Sequence, residues 1–237
     1  SGQALKVTPF NNWWSTTNGR RTYLLGDVPG RQQFRESGFW PLTEPPVFSQ
    51  HGGQVPPGYP LTMTSSVATT GQTATIWFTL DGSDPRRVGG ALSPVAQRYT
   101  NAIPIPAVAT VKARARNDTT QEWSPLTAAT FAPNAVPASA DNLVIAELMY
   151  HPPNATAAEI AAGYNNADDF EFVRLRNIAS TPIDLRSVRF ADGITFDFTA
   201  SPVRYLTPGA DILVVANRAA FQSRYGPGLN GLIAGEY

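Results

Sequence analysis

Cysteine is absent from the 237-residue chain. Without a thiol there is no disulfide, no zinc–thiolate or iron–sulfur site and no thiol nucleophile. Charge is scarce as well: charged residues make up 15%, against about a quarter in an ordinary globular domain. Acidic and basic residues balance at 18 each. A nucleic-acid surface needs a basic surplus, so none is expected, and neither is electrostatic docking on an anionic membrane. Only Lys6 and Lys112 are lysines among the basic residues. Codon usage in a GC-rich genome explains that scarcity; a surface shaped for guanidinium contacts is the other reading. Apolar runs are short, such as Ile212–Ala216, far below the roughly 20 residues of a membrane helix, so no membrane insertion is expected. The start, Ser1-Gly2-Gln3, has no signal-peptide character, and the chain reads as a piece of something longer.

What the chain does have is breakers. There are 21 prolines and 19 glycines spread along it, with 42% hydrophobic residues between them. Short β-branched and aromatic runs bounded by such residues point to an all-β fold. Three segments and a spacer follow. Residues 1–44 read as the tail of an upstream domain, with Gly30–Gly38 a helix candidate. Residues 45–131 read as one β-sandwich, with strand candidates at Leu61–Thr64, Thr75–Leu80 and Ala109–Arg116. In the second of these Ile76, Phe78 and Leu80 share a face; in the third Val111, Ala113 and Ala115 point inward and Lys112, Arg114 and Arg116 toward water. Asp81-Gly82 marks a tight turn. Residues 132–142, rich in small residues and proline, read as a semi-extended linker. Residues 143–237 read as a second sandwich, with strands at Leu143–Met149, Glu171–Arg176, Val188–Phe190, Thr195–Phe198 and Ile212–Ala216. Two short helices interrupt it: Ala157–Ala162 with Thr156 as N-cap, and Ala219–Tyr225 ended by Gly226-Pro227. The expected architecture is two tandem immunoglobulin/fibronectin-like β-sandwiches behind a short, partly helical N-terminal segment.

Two stretches carry family resemblances. Pro46-Val47-Phe48-Ser49, Gly52-Gly53, the run Ile76 to Pro85 (Ile-Trp-Phe-Thr-Leu-Asp-Gly-Ser-Asp-Pro), Tyr99 and Val111 to Ala115 make the first module similar to the C-terminal sandwich of bacterial chitobiase and hexosaminidase proteins. That resemblance implies a fibronectin-like accessory module without catalytic residues. Leu143 to Tyr150, Glu171 to Asn177, Ile183-Asp184-Leu185 and Leu206-Thr207-Pro208-Gly209 make the second module similar to the lamin tail domain, an immunoglobulin-like sandwich. Arg174 departs from the acidic residue usual in bacterial members. That pattern continues past a Gly-rich stretch like Leu229–Tyr237, which implies that the module is incomplete or completed by another strand. The order of parts resembles large secreted proteins of planctomycete- and verrucomicrobium-type bacteria. Arg31–Pro46 resembles the join that follows a spore-coat-kinase-like domain there.

No constellation points to catalysis. His51 precedes Gly52-Gly53 and His151 precedes Pro152-Pro153; no Gly-x-Ser-x-Gly elbow, dinucleotide or Walker motif accompanies them. Two histidines do not supply a histidine-based metal site. Asp81 with Asp84 resembles a calcium loop only loosely, and turn formation is the simpler reading; Asp168, Asp169 and Glu171 form a second acidic cluster, read either as a surface calcium site or as a plain acidic surface. No enzyme activity, cofactor or metal is expected. Trp77 is the ligand-binding candidate. Its neighbours Ile76 and Phe78 take the core face, so its ring faces outward and offers a flat surface to a sugar; the other reading packs it under the N-terminal tail or the second module. Trp13-Trp14, Trp40 and Trp123 read as domain-contact residues. The functional expectation is a non-catalytic extracellular or cell-surface module pair for adhesion, assembly or spacing, with a protein partner or self-association. The alternatives are a polysaccharide-binding accessory of a degrading enzyme, or a fragment of a kinase-like enzyme whose catalytic domain lies elsewhere.

Overall fold

A computed structural model of the chain describes residues 41–237. The helix expected at Gly30–Gly38, the aromatic residues Trp13, Trp14 and Trp40 and most of the upstream tail lie outside the described residues. The described chain is all-β. Its strands are β1 (Val47–Phe48), β2 (Gly53–Val55), β3 (Tyr59–Leu61), β4 (Met63–Thr64), β5 (Ala74–Thr79), β6 (Gln97–Arg98), β7 (Ile103–Ile105), β8 (Ala109–Asn117) and β9 (Thr127–Pro133). They continue with β10 (Val136–Pro137), β11 (Leu143–Met149), β12 (Phe172–Asn177), β13 (Ile183–Asp184), β14 (Arg189–Phe190), β15 (Phe196–Asp197), β16 (Tyr205–Leu206), β17 (Asp211–Val215) and β18 (Ile233–Glu236). Two helices accompany them, α1 (Ala157–Ala161) and α2 (Arg218–Tyr225).

The chain divides into two compact units. The first holds 41–51, Leu61–Ile103 and Thr110–Ala129; the second holds Gly52–Pro60, Pro104–Ala109 and Thr130–Tyr237. In the first unit β5 is central between β6 and β8, antiparallel to both. The expected alternation decides which residues are buried. Ile76 and Phe78 of β5 and Val111, Ala113 and Ala115 of β8 are all buried, while Trp77, Arg114 and Arg116 on the other face keep partial exposure. β1 pairs with β4, Phe48 opposite Met63, and both side chains are buried. The single strand expected at Leu61–Thr64 is split: the Thr62 N–H donates to Ser49 Oγ at 3.1 Å rather than into a ladder. After β5 the chain turns at Gly82, whose φ of 76° suits glycine. A Cβ there would stand 3.4 Å from Thr110 Cβ.

In the second unit a sheet of order β11-β12-β17-β18 carries most of the core. One face packs against the sheet β10-β13-β16: Val173, Leu175, Ile212 and Val214 cluster with Ile183, Leu185 and Leu206. The other face is partly roofed by α2, where Phe172, Leu213 and Val215 cluster with Phe221. That explains why Ile212–Val215 is an unbroken apolar run: successive side chains enter opposite cores, and all four are buried. Strand β18, beyond the turn Pro227–Leu232, runs parallel to β17 and occupies the Gly-rich stretch. Parallel pairing also joins β2 to β9 and β10 to β13, so the unit is not purely antiparallel.

Three expectations are corrected here. Residues 132–142 are not a free spacer: Ala132 and Ala135 are buried, and Val136 and Pro137 pair with Ile183 and Asp184. Pro137 is tolerated because β10 is an edge strand and proline has no N–H to give a ladder. The strand expected through Phe198 ends at Asp197, whose carboxylate accepts the Thr199 N–H at 2.7 Å and opens a 3-10 turn. Strand β14 is shorter than expected, beginning at Arg189.

Both expected helices form. The Thr156 hydroxyl accepts the Glu159 N–H and the Glu159 carboxylate accepts the Thr156 N–H at 2.7 Å, a reciprocal capping box. Helix α2 starts one residue early, with Asn217 Oδ1 accepting the N–H groups of Ala219 and Ala220. It ends at Gly226, with φ of 80°. Arg224 of α2 fastens the two helices, donating to Glu159 at 2.8 and 2.9 Å and to the Pro153 carbonyl at 3.0 Å. Its guanidinium carbon lies 3.4 Å from the Phe170 ring centroid.

Arg224, and next the Thr156 backbone, hold the Glu159 carboxyl down to about 2 from its ordinary 4.5. A lowered carboxyl contributes stability that is present above the ordinary value and lost as pH falls toward the lowered one. Glu159→Gln should therefore lower the melting temperature at pH 7. Circular dichroism melts of both proteins should show the gap persisting down to about pH 4.5 and closing toward about pH 2. A gap independent of pH across that window would contradict this role.

Candidate functional site

The outward face of β5, β6 and β8 in the first unit gathers the residues with binding chemistry. Trp77 stands opposite Arg98 of β6 on one side and Arg114 of β8 on the other. Residues directly opposite in a ladder share a face, so the indole lies among guanidinium groups. Thr75, Trp77, Arg98, Arg116, Asp118 and Gln121 line a surface hollow of about 300 Å³, at the lower end of ligand-pocket volumes. The expected outward placement of Trp77 holds within this unit, and its ring is half-buried rather than fully solvated.

Two carboxylates structure this face. Asp118 accepts the hydroxyls of Thr73 and Thr75, each at 2.7 Å. Those hydrogen bonds, the Thr73 one first, hold its carboxyl below the ordinary range and fix an anion at the rim. Asp84 takes a two-pronged contact from Arg114, Nε to Oδ1 at 2.9 Å and Nη2 to Oδ2 at 2.8 Å. Arg114 Nη1 also donates to the Ser124 carbonyl at 2.8 Å. Arg114 is thus neutralised and held, with a side chain only 16% exposed, instead of pointing freely to water. Arg116 is aimed differently. Its guanidinium lies 5.3 Å from the Trp123 ring centroid, and its Nε donates to the Gln121 carbonyl at 3.4 Å. Trp123 is in turn fixed by its indole N–H on the Gly90 carbonyl at 2.7 Å. Trp123, expected at a domain contact, makes these contacts inside the first unit. Gln121 holds a positive φ of 63°, rare outside glycine, which turns the chain back at the rim.

The other candidates do not assemble into a site. His51 and His151 are exposed, and each lies near one ring: Phe48 at 6.4 Å and Tyr150 at 6.5 Å between centroids. Asp81 Oδ1 accepts the Ser83 N–H and hydroxyl at 2.9 and 2.6 Å, the turn read from the sequence. Asp168 lies in the turn Ala167–Phe170, which Asn166 caps. Among the described residues no three of His, Cys, Asp or Glu are grouped to hold a metal ion. The sequence reading singled out Trp77 but not Arg98, Asp118 or Gln121. Their proximity depends on strand register and a turn; the faint signal was Arg98 beside Tyr99 in an otherwise uncharged stretch.

The Asp84–Arg114 contact keeps β8 registered on the turn after β5. Asp84→Asn should cost about 1–2 kcal/mol of unfolding free energy, measured by denaturant titration, because it leaves the largely buried Arg114 side chain without its anion. No loss of stability would show that the pair is dispensable.

Residues 55–127 match the family model of the chitobiase/beta-hexosaminidase C-terminal domain, in agreement with the resemblance drawn from the sequence for this part of the chain. No curated protein and no solved structure matches the chain. The matched stretch contains Trp77, Arg98, Arg116, Asp118 and Gln121, so the hollow lies within the part of the chain that is similar to that domain.

Proposed function

We propose that the chain is a non-catalytic binding and spacing part of a larger extracellular or cell-surface protein, and that its first unit holds saccharide chains at the Trp77 face. One observation carries this reading: a flat aromatic ring sits outside the core, in a hollow lined by hydroxyl, amide, carboxylate and guanidinium groups. Sugar rings present C–H faces to such a ring and hydroxyls to such a rim. The carbohydrate connection of the matched module family supports the same reading. The second unit, a sandwich of two sheets around one apolar cluster, serves as a lamin-tail-type spacer.

Binding assays on insoluble chitin, cellulose and algal glycans test the reading. The protein should be retained on at least one, and Trp77→Ala should weaken retention about tenfold, with Trp77→Phe intermediate. Retention on none of them, or retention indifferent to Trp77→Ala, would contradict it.

A second reading, self-association, is favoured by β11. It is the edge strand of its sheet and carries an irregularity between Ile145 and Glu147. That bulge keeps both Ile145, opposite Leu175, and Leu148, opposite Val173, on the side of the sandwich core. Yet Ile145 is 58% and Leu148 55% exposed, with Tyr150 at 73% close by. The occupant is a second copy of β11, added antiparallel along this open edge. Sedimentation velocity should show a concentration-dependent dimer that Ile145→Lys abolishes; a strict monomer at high concentration would contradict it.

A further inference from the structure

The hollow beside Trp77 holds more positive charge than its carboxylate offsets, and we infer that its saccharide is acidic: a glycan chain bearing carboxylate or sulfate groups. The inference rests on the reading of Trp77 as a sugar platform and adds the chemical class of the ligand. Two guanidinium groups line the hollow against one carboxylate, Asp118. Both Asp118 oxygens already accept threonine hydroxyls. Arg98 is exposed on β6 directly opposite Trp77; it makes no hydrogen bond or close ion pair with a described residue, and its charge acts on Asp118 only at longer range. Arg116 uses only its Nε, on the Gln121 carbonyl. Its two Nη groups have no partner among the described residues, and its plane is held near the Trp123 ring.

Arg114 shows the contrast. One position along the same face, it is closed off by Asp84 and a backbone carbonyl. The arginines left open are the two that border the hollow. A guanidinium fork matches the paired oxygens of a carboxylate or sulfate, and it is weakly hydrated, so the exchange of water for such an anion is favourable. A chain of alternating hydroxyls and single negative groups suits two separated forks around one ring. A nucleic acid, with a phosphate at every residue, calls for a longer cationic track than this chain of zero net charge offers.

The test uses the full chain and soluble ligands: polygalacturonate and alginate for carboxylates, a sulfated galactan for sulfates, a neutral β-glucan, and mixed-sequence single-stranded DNA. Isothermal titration should show tighter binding to an acidic glycan than to the neutral one, and weakening as salt rises. Arg98→Gln should weaken acidic-glycan binding roughly tenfold, with Arg98→Gln/Arg116→Gln weaker still. Arg87→Gln makes the same charge change at an exposed residue that does not line the hollow and should bind as the parent does. Because Arg116 packs on Trp123, Arg98→Gln carries the test, and its melting temperature should match the parent's. Carboxylate and sulfate arms identify which group is taken. Equal binding of neutral and acidic glycans, lost in Trp77→Ala, would overturn the inference and leave the sugar reading standing. Binding of no glycan would overturn both. Single-stranded DNA bound as tightly as the acidic glycans through Trp77 would overturn the inference in favour of nucleic acid.

Discussion

Alternation along β5 and β8 is the constraint on which the first unit depends. Every second side chain, from Ile76 and Phe78 to Val111, Ala113 and Ala115, is withdrawn from water. In a chain without cysteine that burial is what fixes the strands, at about 25 cal/mol per Å² of apolar surface removed from water. The same period leaves the intervening side chains no choice of face. Trp77, Arg114 and Arg116 must stand outside, and register brings Arg98 and Arg114 to either side of the indole. The Trp77 face is therefore a by-product of core formation that specific polar residues then furnish. A one-residue slip of β5 would bury Trp77 and expose Phe78, so fold and surface are specified by one pattern.

The second unit solves a different problem. Its β17 is buried on both faces, so each face needs its own cover. One cover is a second sheet, the other is α2. A helix of eight residues is too short to be stable alone. Arg224 and Glu159 supply part of what it lacks by tying it to α1 and to the carbonyls ahead of α1. Where the cover runs out, toward the far end of β12, charged pairs take over. Arg176 meets Asp211 at 2.7 Å and Arg174 meets Glu147 at 2.7 Å. These pairs are exposed enough that each contributes little to stability; their effect is to keep a sheet face polar where no apolar partner arrives.

Much of this was legible in the sequence wherever the information was local. The alternation of Ala109–Arg116, the apolar run at Ile212–Val215, Thr156 with Glu159 three residues on, and Gly226 after a helical stretch each name their own structure. What escaped was long-range. Arg114 finds Asp84 and Arg224 finds Glu159 across 30 and 65 residues, and nothing in either neighbourhood marks the partner. Residues 132–142 look like a spacer because alanine and proline have no periodic pattern; their strand character comes from Ile183 and Asp184, which they meet only after folding. Trp77 could be placed outside its strand, but the hollow around it needed Asp118 and Gln121, which arrive through a turn with an unusual positive φ at Gln121.

The central claim is that the outer face of β5, β6 and β8 is where this chain meets its ligand. Backbone and indole chemical-shift mapping by NMR during titration with a uronic-acid oligosaccharide tests it most directly. The account predicts perturbations clustered on Thr75, the Trp77 indole, Arg98, Arg116 and Gln121, with the buried row at Ile76 and Phe78 little affected. Perturbations centred instead on β11 and β12, or scattered without regard to the hollow, would contradict it.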